Sequence, residues 1–182
     1  MSEIASRGQL RLSLLRWAMV VVPSVAFLGF LSGIMAGSGS DNRWYAVLAK
    51  PDFTPQDWVF GAVWPVLYLL IGLALSVVLN ARGAPGRGLA ITLFLVQFAC
   101  NLIWSPLFFA AHQVALAAYL AIVMLVLAAV SAVYFARIRP LAGLLMLPYV
   151  AWLVFAAVLS YEVHDLNPDA ESLVPPAAHT QI

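Results

Sequence analysis

The residues best equipped for chemistry in this chain are aromatic and amide side chains repeated at helical spacing. Trp64 and Tyr68 stand i, i+4 with Pro65 beside them. Gln97, Asn101, Trp104 and Phe108 follow at intervals of four, three and four, and Tyr149, Trp152 and Ala156 repeat that interval beyond Pro148. Such spacing puts each set on one face of a helix. Buried together, flat aromatic walls with a few amide edges make a pocket for a flat, largely apolar molecule carrying some polar groups. A plainer arrangement uses the same residues: amides bonding across helices, and Trp and Tyr forming belts at a membrane surface. Belts suit Trp17 and Trp58. They suit Trp64 and Trp104 less well, since these lie about five residues inside their segments, roughly 7–9 Å deep at the rise of a helix.

Other chemistries find little footing. Cys100 is the single cysteine and sits among apolar neighbours, as an inert buried thiol does. His112, His164 and His179 fall in a turn, at a segment end and in the terminal tail, so no histidine lies within a span to ligate a haem iron or another metal. There is no phosphate-binding glycine loop, no G-x-S-x-G and no inward pair of carboxylates. The absence of intramembrane charge argues against a pump or a channel.

The elements that must position these residues follow from composition. Of 182 residues 64% are hydrophobic and only 9% charged, against roughly 45–50% and about 25% in soluble domains. Residues 58–81, 88–136 and 140–161 contain no Lys, Arg, Asp or Glu. About 20 apolar residues cross a bilayer, and the middle window divides at Ala111-His112-Gln113. Together with Leu12–Ala36 the chain is expected to be an all-α membrane protein, a five-helix transmembrane bundle with spans of about 12–36, 58–81, 89–110, 114–136 and 141–163. Short links make neighbours antiparallel. Residues 37–57 form a long loop between the first two spans, and 164–182, rich in Pro, Ala and acidic residues, reads as a disordered tail.

Arg7, Arg11, Arg16, Arg82, Arg87, Arg137 and Arg139 gather at one side and only Arg43 and Lys50 at the other. The positive-inside rule then places the amino terminus in the cytoplasm, with the long loop and the carboxy terminus outside. A net charge of +1 gives no footing for a nucleic-acid partner. The first apolar run is long for a signal peptide and ends in no cleavage-like site, so it is read as a retained helix. Its Gly29, Gly33 and Gly37 form a ladder for close helix packing, within one bundle or between two copies.

Four motifs occur in order: Trp44-Tyr45-x4-Lys50-Pro51, Trp64-x3-Tyr68, Asn101-x2-Trp104-x-Pro106 and Pro148-Tyr149-x2-Trp152. In these the chain closely resembles the TspO/MBR family, the tryptophan-rich sensory proteins and mitochondrial translocator proteins, from about residue 12 to 165. The resemblance implies a bundle of five helices, usually a homodimer, with a ligand pocket beneath the first loop. It implies porphyrins such as protoporphyrin IX, haem, and benzodiazepine-type or isoquinoline drugs as ligands, with no required cofactor. Matched by motif, the pocket residues would be Trp44, Trp64, Tyr68, Asn101, Trp104, Tyr149, Trp152 and Ala156. Trp64 and Trp152 match the tryptophans tied in some bacterial members to light-dependent porphyrin breakdown, which makes them the catalytic candidates should the protein be an enzyme.

Three positions depart from the family pattern. Asp52 puts a charge at the lid, Phe155 occupies a site often small in bacterial members, and no basic residue follows Tyr161 within five positions. Cholesterol, a ligand of animal members, therefore lacks its usual recognition pattern here, although Val130, Tyr134 and Arg137 match it formally. The expected function is a receptor or sensor that binds tetrapyrroles in a bacterial cell membrane. Light-dependent porphyrin degradation is the alternative. Transport comes third, because five helices without internal repeat or buried charge fit alternating access poorly.

Overall fold

Charge-free stretches of this length have one way to satisfy their backbone in lipid, and the chain takes it. The computed structural model describes residues 7–173, and among these no strand occurs. Five helices are long and apolar enough to span a membrane: α1 (Arg7–Met35), α3 (Asp57–Asn80), α4 (Arg87–Ser105), α5 (Val114–Ile138) and α6 (Pro140–Leu166). A short α2 (Arg43–Val47) lies in the loop between α1 and α3, and a 3₁₀ turn (Ala170–Ser172) follows α6. Around the bundle α1 packs on α3, α3 on α6, α6 on α5 and α5 on α4, with a smaller contact returning from α4 to α1.

Lipid removes the hydrophobic drive for helices to associate, so small residues that allow close approach carry the packing. The α5–α6 pair, the most extensive in the bundle, shows how. Helix α5 buries Ala117, Ala118, Ala121, Ala128 and Ala132, α6 buries Ala142, Gly143 and Ala157, and a Cβ on Gly143 would stand 2.8 Å from the Ala136 Cα of α5. Between α1 and α3, a Cβ on Gly72 would stand 3.0 Å from the Val22 Cα.

The glycine ladder of α1 serves inside the bundle, and its three members do different work. Gly29 meets Tyr68 of α3 so closely that a Cβ would sit 2.2 Å from the ring. Gly33 lines a cavity described below. Gly37 adopts φ +62° as the left-handed residue that ends α1. There Ser38 N donates to Gly33 O and Gly37 N to Ile34 O, the paired bonds of a Schellman cap.

One expectation gains detail and one needs correction. The third span runs Arg87–Ala110, close to the expected 89–110, and within it α4 gives way to a π-helical turn at Pro106–Ala110. Pro106 has no N–H, so the Leu102 carbonyl four residues earlier loses its helical donor. The Ser32 hydroxyl of α1 donates to that carbonyl instead, and Ala111 N closes the wider turn onto Pro106 O at 2.9 Å.

The tail, expected to be disordered from residue 164, is ordered at its start. Helix α6 runs to Leu166, and Asn167 pairs with Ala49 of the first loop through two 2.8 Å bonds, Ala49 N to Asn167 Oδ1 and Asn167 Nδ2 to Ala49 O. Composition alone favoured solvent, but specific side-chain and backbone partners hold this stretch down. Residues 174–182, His179 among them, lie outside the described residues.

Candidate ligand-binding cavity

Beneath the first loop the five spanning helices enclose a cavity of about 420 Å³, within the usual range of about 300–1,000 Å³ for small-molecule sites. Six of the eight residues expected to form a pocket line it: Trp64, Tyr68, Asn101, Trp104, Trp152 and Ala156. Helical spacing explains their convergence. Trp64 and Tyr68, one turn apart on α3, hold their rings 5.3 Å from each other. Asn101 and Trp104, on the same face of α4, reach the cavity from its far side. Trp104 is fixed by stacking on Phe108 at 5.1 Å and by an indole N–H bond to Ala117 O at 3.0 Å. Trp152 packs edge-on to Phe60 at 5.8 Å and lies 5.2 Å from Phe155. Phe155 in turn touches Phe53 of the loop, so the larger residue at this position helps hold the lid.

Trp44 and Tyr149 were also expected on the wall, and the structure places them behind it. Trp44 is only 1% exposed. Its indole N–H donates to Ala170 O at 3.0 Å, and its ring stacks on His112 at 4.3 Å and meets Phe108 edge-on at 5.4 Å. It pins the loop to the segment after α6. His112 reaches that stack from a left-handed backbone, φ +56°, a conformation uncommon outside glycine. The neighbouring Tyr45 is the residue of α2 that lines the cavity. Asn42 orients this helix by accepting from Tyr45 N at its N-cap and donating to Phe109 O at 3.2 Å.

Tyr149 is fully buried and belongs to a polar relay behind the inner wall. Tyr68 OH donates to Asn101 Oδ1 at 3.2 Å, Asn101 Nδ2 to Tyr149 OH at 3.2 Å, and Tyr149 OH to Gln97 Oε1 at 2.9 Å. The relay joins α3, α4 and α6, so Asn101 both faces the cavity and bonds between helices. The two roles weighed for the amides are thus held by one side chain. At the far end Gln97 Nε2 is buried without a partner.

Further wall residues come from places where the spacing of aromatics gave no signal. Helix α1 contributes Gly29, Gly33 and Ile34, where glycines offer only backbone. Phe60 was accessible to the same reasoning as Trp64, since Phe60, Trp64 and Tyr68 repeat every four residues. Gly61 also lines the cavity, and Pro65 four residues on denies its carbonyl the usual amide donor.

At the mouth, Asp57 is the single charged residue among those lining the cavity. With Tyr45 it also borders a smaller, more polar outer cavity that includes Lys50 and Thr54. Lys50 Nζ donates to Tyr45 O at 2.8 Å and Leu48 O at 3.2 Å and stands 4.3 Å above the Tyr45 ring. Burial lowers the pKa of this ammonium, and the Asp57 charge works against that shift. Burial, helped by Asp57, raises the pKa of the Tyr45 hydroxyl. Among the described residues no cluster of histidine, cysteine or carboxylate side chains could hold a metal ion.

Residues 19–165 match the TspO/MBR family. The chain is 35% identical over 144 residues to the tryptophan-rich protein TspO of Archaeoglobus fulgidus, covering 79% of this chain and 92% of that one. It is 35% identical over 147 residues to the translocator protein of Homo sapiens (77% and 87% covered), and 34% over 146 residues to the tryptophan-rich sensory protein of Cereibacter sphaeroides (78% and 90%).

Proposed function

We propose, from the premise that the chain belongs to the TspO/MBR family, that it is a membrane receptor or sensor that binds flat tetrapyrroles in the cavity beneath its first loop. The observation that carries this is the convergence of Trp64, Trp104 and Trp152 on one cavity whose inner wall holds two buried polar groups, Tyr68 and Asn101. Broad indole faces suit an aromatic macrocycle, and the buried hydrogen-bonding groups fix its orientation. The outer cavity, with the Lys50 ammonium, suits the carboxylates at one edge of such a ring. The wall offers neither histidine nor cysteine to an iron atom, and the reading rests on recognition of the ring system.

Titration of the purified protein with protoporphyrin IX, followed by quenching of tryptophan fluorescence, tests this. Saturable one-site quenching that Trp104→Ala weakens supports the assignment. Quenching that never saturates, or that the substitution leaves unchanged, overturns it.

One observation favours a second activity. Trp64 and Trp152, the two oxidisable indoles singled out by motif, line the same cavity from α3 and α6. A bound photosensitising pigment would lie within reach of both, as light-dependent breakdown requires.

A further inference from the structure

The relay behind the inner wall has a direction. As arranged, Tyr68 donates to Asn101, Asn101 to Tyr149 and Tyr149 to Gln97. Tyr68, which lines the cavity, has spent its only proton inward, so its hydroxyl can offer a ligand only a lone pair. Gln97 Nε2 is then left buried without an acceptor. The same heavy-atom positions support the opposite direction. If both amides turn over and both hydroxyls rotate, Gln97 donates to Tyr149, Tyr149 to Asn101 and Asn101 to Tyr68, which frees the Tyr68 proton for the cavity. Each direction makes three bonds and strands one half of the Gln97 amide. Because every link is either an amide or a hydroxyl, nothing in the relay opposes the reversal.

We propose that Tyr68 determines the polar specificity of the cavity and serves either as acceptor or as donor, with the relay ending at Gln97 reversing to match the ligand. The ligand class is a flat apolar molecule with one hydrogen-bonding group, an N–H or a carbonyl, at its buried edge. Gln97 and Tyr149 act here as positioning residues. They lie behind the wall and touch no ligand, yet they set which half of the Tyr68 hydroxyl faces it. This assignment rests on the cavity being the ligand site.

Three bicyclic probes of similar shape separate the possibilities: indane, which makes no hydrogen bond, indole, a donor only, and indanone, an acceptor only. Wild type is expected to bind indole and indanone each about 2- to 13-fold more tightly than indane, the worth of one hydrogen bond. Tyr68→Phe should erase both preferences, each measured against the variant's own affinity for indane. Gln97→Met, close in shape, removes the acceptor for Tyr149 and forces that hydroxyl onto Asn101. The relay then runs outward only, so the variant should keep the preference for indanone and lose that for indole.

A merely structural Gln97 would shift all three probes together, and that result overturns the proposal. So does a wild type that binds indane but shows no polar preference, which leaves the cavity as ligand site intact. Failure of indane to bind at all removes the cavity reading and this one with it. Should Gln97→Met fail to fold, persistence of either preference in Tyr68→Phe overturns the proposal by itself.

Discussion

The indole N–H of Trp44 donates to the backbone carbonyl of Ala170, 126 residues further along the chain, at 3.0 Å. This bond, with the Asn167–Ala49 pair beside it, fastens the loop that roofs the cavity to the segment following the last helix. Trp44→Phe keeps an aromatic ring against Phe108 and His112 and loses the bond. At about 0.5–1.5 kcal/mol, the loss is expected to speed release of bound protoporphyrin by about 2- to 13-fold, with a smaller change in association. Stopped-flow release into excess detergent measures it. An unchanged release rate would mean that the roof does not limit ligand exit.

Asn101→Leu removes the middle of the relay, so its effect should divide between stability and binding. Tyr68 and Tyr149 both lose a partner, and Tyr149, fully buried, has nowhere else on α4 but Gln97 to turn. A loss of about 1–3 kcal/mol is expected from the stranded groups, seen as a lower thermal midpoint in detergent, together with weaker ligand binding. Binding reduced at an unchanged midpoint would show that Asn101 serves the ligand alone.

Ser32 and Pro106 form a pair by chemistry rather than by charge. The proline strips Leu102 O of its donor and the serine of α1 replaces it. Ser32→Ala is expected to cost about 1 kcal/mol in the wild-type background and much less when Pro106→Ala restores an N–H at the start of the π-helical turn. A double-mutant cycle on thermal or denaturant unfolding reads the coupling. Additive effects would show that the hydroxyl does not substitute for the missing amide.

Trp64→Phe and Trp152→Phe test the light-dependent reading. Phenylalanine preserves most of the flat apolar wall but lacks the easily oxidised indole. With a binding function alone, both variants bind protoporphyrin with a modest loss, and under illumination its absorbance decays no differently with wild type than with either variant. If the protein degrades the pigment, wild type accelerates decay over free pigment and gives a defined product, while the variants bind and do not. The rate of absorbance loss at saturating protein, against dark controls, decides between them.

The five spans were legible because charge is sparse within them and gathered at their ends and in the links between them. Six of the expected wall residues were legible because a helix repeats its face every three or four positions. What escaped has specific causes. Trp44 and Tyr45 are adjacent on a five-residue helix, too short for any periodicity to say which faces inward. Gly29 and Gly33 line the cavity with backbone, which no side-chain pattern announces. The bond from Ser32 to Leu102 depends on α1 crossing α4 at one particular height. The ordered start of the tail depends on a small residue, Ala170, fitting under a tryptophan distant in sequence, and composition carries no information about such a fit.

The tie between the first loop and the end of α6 also bears on the order in which the protein is completed. A chain made from its amino terminus exposes Trp44 and Ala49 long before Ala170 and Asn167 exist. Ala49 must wait for a residue 118 positions later, on the order of 6–24 s at about 5–20 residues per second of synthesis. Helices α1 and α3 can insert and pack during that interval, but the roof over them has nothing to fasten to. The cavity is therefore sealed only once the residues that follow α6 have been made, so a chain interrupted within α6 would leave an open bundle, with the mouth between Tyr45 and Asp57 unguarded.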